Sequence, residues 1–297
     1  MVTRRGFGLG VGTAIAGSIV VRPRTVVAAI TAESRFAGEM VRLEKASGGR
    51  LGVAIRDVGS GRSYGHRASE RFPMCSTFKV LACGAVLARV DAGHEELNRR
   101  IVFAATDIVT HSPVTKDRIG GDGMTLAELC EAAMTTSDNT AGNLILSSLG
   151  GPSAVTAYAR SLGDPVTRLD RIETALNEAT PGDPRDTTTP AAMAANLQSL
   201  VLGDGLSPRS RDHLTAWLVA NKTGGAKLRA GLSKDWRAGD KTGGGGFGTT
   251  NDIAVIWPPG RAPLVVCVYL TDTKAPAELR DQTIAAVARA VESTLVA

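Results

Sequence analysis

Residues 75–90 read CSTFKVLACGAVLARV, and this stretch predicts the helix on which the rest of the fold is organised. Its part from Phe78 to Val90 is apolar and rich in Ala, Leu and Val, and Gly93 follows as a helix stop. Residues three apart share a helix face, so Ser76 and Lys79 are expected side by side at the first turn. Burial can discharge a lysine, and the neutral amine can then take the proton of a serine hydroxyl. By itself, however, Ser-x-x-Lys is a pattern that is common by chance.

Outward from this helix, the middle of the chain carries further helix signals. Thr125 and Glu128 have the spacing of a capping box. Thr189-Pro190 and Ser207-Pro208 each combine a cap with a proline at the first helical position. The pattern predicts helices in the middle of the chain, over 78–90, from 125, over 139–149, over 152–162, from 189 and from 207, and at its two ends, over 31–47 and 278–296.

Strand signals lie toward both ends of the chain. Leu51, Val53 and Ile55 alternate, and the continuous apolar run at 264–270 is typical of a buried strand. Lys241-Thr242-Gly243 is expected to open another strand. The sequence therefore predicts an α+β fold with two lobes and an active site in the cleft between them. A discontinuous lobe with an antiparallel sheet spans residues 29–67 and 220–297, and an all-helical lobe spans residues 68–219.

Residues 1–28 are interpreted as an export signal. Thr3-Arg4-Arg5-Gly6-Phe7 is a twin-arginine pattern, an apolar Gly/Ala-rich run follows over 8–21, and small residues at 27–29 suggest cleavage. The alternative is a retained membrane anchor, for which the run is short. Removing the four arginines of this segment lowers the formal net charge from +5 to +1, which argues against nucleic-acid binding. We therefore expect a periplasmic or secreted protein, exported by the twin-arginine pathway, with no stable membrane association after cleavage.

Two motifs downstream add candidate chemistry. Ser137-Asp138-Asn139 falls between two helices, where the serine could pass a proton to a leaving nitrogen and the asparagine could hold a substrate amide. The same residue types also favour helix caps, so a purely structural role is the alternative. In Lys241-Thr242-Gly243, the lysine and threonine could bind a carboxylate, and the glycine would allow close approach to the backbone. The alternative there is a turn at an edge strand.

In this order, the three motifs make the chain resemble the class A serine β-lactamases and penicillin-binding proteins over essentially its whole mature length. The resemblance implies a five-stranded antiparallel sheet flanked by the N- and C-terminal helices. It implies that Ser76 opens a β-lactam ring, with an oxyanion hole made by the backbone N–H groups of Ser76 and Gly244. The other catalytic side chains that it implies are Lys79, Ser137, Glu173 and Lys241. No cofactor or metal is implied, and a monomer that acts on a small β-lactam molecule is expected.

Residues 171–177, Arg-Ile-Glu-Thr-Ala-Leu-Asn, favour a β-lactamase within this superfamily, an enzyme that hydrolyses penicillins and cephalosporins and so confers antibiotic resistance. They resemble the class A pattern of an acid three residues before a Leu-Asn pair. Glu173 would then be the base for the hydrolytic water, and Asn177 would help to hold that water. The base for acylation stays open between Lys79 and Glu173. The alternatives are a D,D-peptidase, which would form the acyl-enzyme and stall, and a β-lactam-binding sensor domain.

The resemblance also indicates residues around the substrate. The substrate carboxylate is expected at Lys241, Thr242 and Thr250. The other expected substrate-binding residues are Asn139, Asn177, Gly243 and Gly244. The cation that assists Lys241 is left open between Lys227 and Arg280. His111 matches a gate residue of the family, although a surface histidine is the alternative.

The same resemblance extends to a loop and to the cysteines. An Arg171–Asp186 bridge is expected to close the neck of the loop at 168–186, unless these charges are only a solvated cluster. Cys83 and Cys130 match positions that a disulfide joins in some family members. In carbapenem-hydrolysing relatives the cysteine that matches Cys75 pairs with another near position 245, where this chain has Gly245 instead. Cys267 is expected to be a free core thiol.

Overall fold

The computed structural model describes residues 24–296, so the predicted twin-arginine motif lies outside the described residues. Within this range the helices are α1 (Arg24–Ser47), α2 (Phe78–Asp91), α3 (Leu126–Thr135), α4 (Asn139–Leu149), α5 (Pro152–Ser161), α6 (Pro190–Val201), α7 (Pro208–Val219) and α8 (Ala277–Val291). The strands are β1 (Arg50–Asp57), β2 (Ser63–His66), β3 (Phe72–Pro73), β4 (Arg100–Ile101), β5 (Met124–Thr125), β6 (Thr187–Thr188), β7 (Arg237–Gly244), β8 (Thr250–Trp257) and β9 (Leu264–Thr271).

A five-stranded antiparallel sheet in the order β2-β1-β9-β8-β7 forms the centre of the fold. The ends of the chain supply all five strands, as the sequence predicts. The predicted position of Lys241-Thr242-Gly243 was wrong in detail, because the strand already begins at Arg237 and the motif occupies its second half. Residues 237–240 lack apolar alternation, and their pairing with β8 places them in the sheet. Since β7 is an edge strand, one row of its backbone groups faces away from the sheet.

Each face of the sheet contributes to a different part of the hydrophobic core. The helices α1 and α8 cover one face, where Phe36 and Ile284 pack with Val53 and Val266. The helical middle of the chain covers the other face, with α6 against β1 and β9. Strand β9 is buried along its whole length. This two-sided burial explains why residues 264–270 are continuously apolar instead of alternating.

Several helix boundaries agree with the caps in the sequence. The Thr125 hydroxyl accepts a hydrogen bond from the Glu128 N–H, and the Glu128 carboxylate accepts one from the Thr125 N–H, which completes the capping box. The hydroxyls of Thr189 and Ser207 cap α6 and α7. The terminal helices differ from expectation. Helix α1 begins at Arg24, ahead of the predicted cleavage site, and α8 ends at Val291, where one turn of π-helix follows.

The predicted division into lobes at residues 29–67, 68–219 and 220–297 stays a prediction. Helix α6, which belongs to the middle segment, packs directly on the sheet. Within residues 24–296, no helix combines the length and the apolarity that crossing a bilayer requires.

Candidate active site

The hydroxyl of Ser76 lies between an amine and a carboxylate at the start of α2. Ser76 sits in a one-turn 3-10 helix, Cys75–Thr77, that leads into α2 and is buried. The Lys79 amine donates to its Oγ at 2.9 Å, and Oγ donates to Glu173 Oε1 at 3.2 Å. Cys75, the preceding residue, has a φ of +44°, a left-handed conformation that is rare outside glycine and common at active sites. Both side chains that could take the serine proton are therefore within hydrogen-bond distance.

Lys79 is fully buried and makes four polar contacts. Besides Ser76, its Nζ contacts the Ser137 carbonyl at 2.9 Å, Asn139 Oδ1 at 2.7 Å and Glu173 Oε1 at 2.9 Å. Burial lowers the pKa of Lys79, and the negative charge of Glu173 opposes this shift. A buried lysine with a lowered pKa is easier to deprotonate, so it can exchange a proton with the serine.

Glu173 is held from both sides and is only 3% exposed. Asn177 Nδ2 donates to Oε2 at 2.5 Å. Asn143 fixes the backbone, because its Oδ1 accepts from the Glu173 N–H at 2.8 Å and its Nδ2 donates to the Glu173 carbonyl at 2.9 Å. The sequence analysis missed Asn143, although its position one turn after Asn139 on α4 places both on one helix face.

The side chains of the Ser137-Asp138-Asn139 motif are divided between the active site and the cap of α4. The Asp138 carboxylate caps α4 through the Ala141 N–H at 2.9 Å and also accepts the Val114 and Thr115 N–H groups, so it is structural. Ser137 Oγ instead accepts a hydrogen bond from Lys241 Nζ at 3.0 Å. The Asn139 amide bridges Lys79 and the Thr110 carbonyl. Two of the three side chains thus join the site while the third fixes the helix that carries them.

Lys241 approaches the serines from β7, the edge strand. Its Nζ also donates to the Thr242 carbonyl at 2.9 Å, and the side chain is fully buried. Burial, followed by the nearby charge of Lys79, lowers the pKa of Lys241 to about 7. Carboxylates nearby, with Asp240 first among them, oppose this shift. The amine therefore links the helical side of the site to the sheet and titrates near neutral pH.

The glycines after Lys241 allow close packing at the end of β7. A Cβ on Gly243 would lie 2.8 Å from the Met74 carbonyl, so this glycine lets the strand contact the nucleophile turn. Gly243 also lines the cleft, and the close approach of a substrate expected there stays a prediction. A Cβ on Gly245 would lie 2.7 Å from Cys75 Sγ, which places these two positions in direct contact. Gly244, between them, is exposed at the strand end, where its backbone can face a ligand.

An open cleft of about 480 Å³ runs past Ser76, which suits a small molecule. His111 lines it, and its Nε2 contacts the Thr136 carbonyl at 3.1 Å. The other expected residues on the lining are Ser137, Asn139, Asn177, Thr242, Gly243, Gly244 and Thr250, whereas Lys79, Glu173 and Lys241 lie beneath it. Thr223, which the sequence analysis did not single out, contacts Thr242 Oγ1 at 2.5 Å from a loop without any motif.

The two candidate cations at this end of the cleft differ in their partners. Lys227 forms an ion pair with Asp281 at 2.9 Å. Arg280 also lines the cleft, and its buried Nε has no hydrogen-bond partner among the described residues. The positive charge of Lys227 is therefore already balanced by a carboxylate, whereas one donor of Arg280 is unused.

The Arg171–Asp186 bridge is confirmed at 2.6 Å between Arg171 Nε and Asp186 Oδ2. Asp186 is 1% exposed, so this pair is not part of a solvated cluster. Its Oδ1 accepts the N–H groups of Asp170 and Arg171 at 2.8 and 2.9 Å. The bridge therefore closes the neck of the loop that presents Glu173.

All four cysteines are free thiols in this structure, so the expected Cys83–Cys130 disulfide is not formed in it. Cys83 and Cys130 are nevertheless neighbours across α2 and α3, because the Cys83 thiol donates to the Cys130 carbonyl at 4.0 Å. Cys267 is a buried thiol in β9, as predicted.

Taken as chemistry, the site can form and break a covalent bond to Ser76. It combines a nucleophile, a lysine and a carboxylate in mutual contact with a second serine–lysine pair next to them. Within residues 24–296, no three side chains of His, Cys, Asp or Glu cluster in a way that could hold a metal ion.

Comparison with known proteins identifies this arrangement. Residues 35–295 match the β-lactamase enzyme family. The chain is 52% identical to β-lactamase AST-1 of Nocardia asteroides over 91% of its own length and 86% of that protein, and 51% identical to β-lactamase Toho-1 of Escherichia coli over 85% and 87%.

Solved structures lead to the same family. An ancestral class A β-lactamase superposes with a TM-score of 0.86 at 65% identity, over 87% of this chain and 99% of that one. The putative class A enzyme PenP of Rhodopseudomonas palustris gives 0.86 at 60% identity, over 87% and 98%. The chain therefore belongs to the β-lactamase enzyme family, as a class A enzyme that hydrolyses β-lactams.

Proposed function

We propose that β-lactam hydrolysis in this enzyme proceeds through an acyl-enzyme on Ser76 that Glu173 helps to hydrolyse. The observation that carries this proposal is the mutual contact of the Ser76 hydroxyl, the Lys79 amine and the Glu173 carboxylate. A D,D-peptidase needs the first two groups only. A carboxylate 3.2 Å from the nucleophile is within the reach required of a general base for water.

In the acylation step, the Ser76 oxygen attacks the lactam carbonyl and its proton passes to Lys79 or Glu173. The backbone N–H groups of Ser76 and Gly244 stabilise the oxyanion, a contribution of about 2.7–4 kcal/mol for one such donor in other enzymes. When the C–N bond breaks, the nitrogen takes a proton from Ser137, whose hydroxyl contacts the Lys241 amine. Lys241 in turn restores that proton, and the proton that Lys79 or Glu173 took from Ser76 replaces the one that Lys241 gave, so Glu173 can accept a proton in the next step.

In the deacylation step, Glu173 removes a proton from a water molecule, and the resulting hydroxide attacks the ester carbonyl. Asn177, which donates to Glu173 Oε2, helps to orient that water. The ester bond breaks, Ser76 regains its proton, and the product leaves as a penicilloate-type carboxylate. Asn143 supports this step indirectly, because it fixes the backbone of Glu173.

The carboxylate that penicillins and cephalosporins carry binds at Lys241, Thr242 and Thr250. Arg280 is the cation that assists Lys241, because Lys227 is paired with Asp281 and the Nε of Arg280 lacks a partner. His111 forms the opposite rim of the cleft, and Asn139 contacts the substrate amide.

We further propose that the chain is made as an exported precursor and acts as a monomer in the periplasm or outside the cell. The twin-arginine motif supports the route, and an oxidising compartment would join Cys83 and Cys130. Conferring resistance requires this location, since β-lactams act outside the cytoplasm.

Steady-state hydrolysis tests the proposal. We expect the purified enzyme to turn over nitrocefin and a penicillin continuously, and Ser76→Ala to abolish turnover of both. A single burst of one product per enzyme, without further hydrolysis, would instead identify a penicillin-binding D,D-peptidase.

A further inference from the structure

Two buried carboxyl groups face each other behind the carboxylate-binding end of the cleft. Asp240 on β7 and Asp252 on β8 are both completely buried. In the register of the two strands Asp252 lies opposite Thr242, and Asp240 is two residues away from Thr242. The two carboxyls therefore share one face of the sheet and are diagonal neighbours.

The hydrogen-bond donors around this pair are unevenly distributed. Asp240 accepts from Arg229 Nε at 2.5 Å through Oδ1 and from Asn221 Nδ2 at 2.6 Å through Oδ2. Asp252 accepts the Leu228 N–H at 3.0 Å through Oδ2. Asp252 Oδ1 is buried without any donor among the described residues. A buried carboxylate oxygen with no donor costs free energy, and a proton on this oxygen would remove that cost.

The charges nearby balance one carboxylate only. Arg229, from the turn before β7, forms an ion pair with Asp240. Lys227 also faces Asp252, but it is committed to Asp281. Lys241 follows Asp240 in the strand, so its side chain points to the opposite face, where it contacts Ser137. On the third strand, the Cys267 thiol near Asp252 has a raised pKa and is uncharged.

We infer that Asp252 is a neutral carboxylic acid that donates its proton to Asp240, so that the pair carries a single negative charge. Asp240 keeps that charge because Arg229 and Asn221 both stabilise its ionised form. Burial, followed by the charge of Asp240, raises the pKa of Asp252 well above its ordinary value, in agreement with this assignment.

The proton matters for the substrate carboxylate, because Asp252 lies next to the strand position that is proposed to bind it. Thr242 stands directly opposite it in the sheet, and Thr223 contacts Thr242 from the adjoining loop. A second anion beneath Thr242 would repel an anionic substrate, whereas a neutral acid does not. This consequence rests on the proposed function, but the protonation state itself does not, and it can be measured without any substrate.

The first test is the pH dependence of folding in the wild type and in Asp252→Asn, measured by urea unfolding from about pH 5 to about pH 7. In this range the wild type holds the Asp252 proton when folded and releases it when unfolded, so a rising pH favours unfolding. The folding equilibrium constant of the wild type should therefore fall about tenfold per pH unit relative to Asp252→Asn. A ratio that does not change with pH overturns the inference.

Asp240→Asn is the matched control, because it removes the charged member of the pair and leaves Arg229 unpaired. It should lower the stability more than Asp252→Asn does. The opposite order would place the proton on Asp240 and overturn the inference. A measurement on the wild type decides the question even if neither variant folds. In enzyme labelled with ¹³C at the aspartate carboxyl carbon, the infrared spectrum at neutral pH should contain a label-sensitive band of a protonated carboxyl group. Absence of that band refutes the inference.

Discussion

Asp186→Ala should release the loop that carries Glu173 while leaving the nucleophile in place. The Asp186 carboxylate accepts three hydrogen bonds, from the N–H groups of Asp170 and Arg171 and from Arg171 Nε. Alanine removes the acceptor of all three donors at a site that is 1% exposed, and the Arg171 guanidinium keeps only its ion pair with Glu178. Breaking a buried ion pair by removing one partner costs about 3–5 kcal/mol. Because the loop can open and expose the donors to water, we expect this penalty to appear as local opening of residues 168–186.

The assay has a structural and a kinetic part. Hydrogen exchange should become faster at the amides of residues 168–186, with little change in α2, which carries Ser76 and Lys79. Stopped-flow measurements with a penicillin should show that acylation persists and that deacylation slows by about 10²–10⁴-fold. That is the range by which a correctly placed general base accelerates a step.

Asp183→Ala provides the matched control within the same loop. Asp183 pairs with Arg185, whose side chain is half exposed, and a surface pair of this kind contributes little. We expect this variant to behave as the wild type in both assays. The reasoning fails if Asp186→Ala hydrolyses penicillins and bulky cephalosporins at the wild-type rate, or if the two variants are equally impaired.

Four further predictions follow from the site. Glu173→Gln should give a burst of one product per enzyme and then turnover slowed about 10²–10⁴-fold, and continued rapid turnover in stopped-flow traces would contradict the role of this carboxylate. Because the pKa of Lys241 is about 7, the charged form that attracts the substrate is lost above this pH. The kcat/KM for a penicillin should then fall as pH rises through 7, and a profile that stays flat to high pH would count against it. Arg280→Ala should raise the KM for penicillins more than Lys227→Ala does, and equal effects in steady-state kinetics would refute the choice of cation. Enzyme isolated from the exported fraction should contain a Cys83–Cys130 disulfide by mass spectrometry, with about 2–4 kcal/mol of added stability. Free thiols in that fraction would exclude it.

The sequence predicted best those features that depend on local chemistry. The capping box at Thr125, the capped prolines at 190 and 208 and the apolar run in β9 each determine one element with little help from distant residues. The start of β7 at Arg237 was missed, because residues 237–240 become a strand only through pairing with β8. Strand formation without an alternating pattern depends on a partner that is distant in sequence.

The residues of the candidate site also differ in whether a local sequence pattern identifies them. The motifs identified Ser76, Lys79 and Lys241, and the structure brings these groups together across 165 positions of the chain. Asn143 could have been found from its spacing to Asn139 on one helix face. Thr223 could not, since it reaches Thr242 from a loop whose conformation is set by Asn221 and by the sheet. Nothing in the sequence indicates that Gly243 also makes room for the Met74 carbonyl, because that contact joins β7 to a turn that is distant in sequence.

The charges at the site explain why it is suited to an anionic substrate. Lys79, Lys241 and Glu173 are all buried, so with every group ionised the site would hold two positive charges against one negative. Burial disfavours the charged form of each lysine, and for Lys241 the charge of Lys79 adds to this effect, so the pKa values of both lysines are lowered. A substrate that places its own carboxylate next to Lys241 supplies the missing anion and stabilises the protonated amine. The same substrate leaves Lys79 beside Glu173, free to exchange protons with Ser76. Substrate binding and proton transfer therefore both depend on the excess of positive charge at the site, and a second ionised aspartate behind Thr242 would cancel this excess.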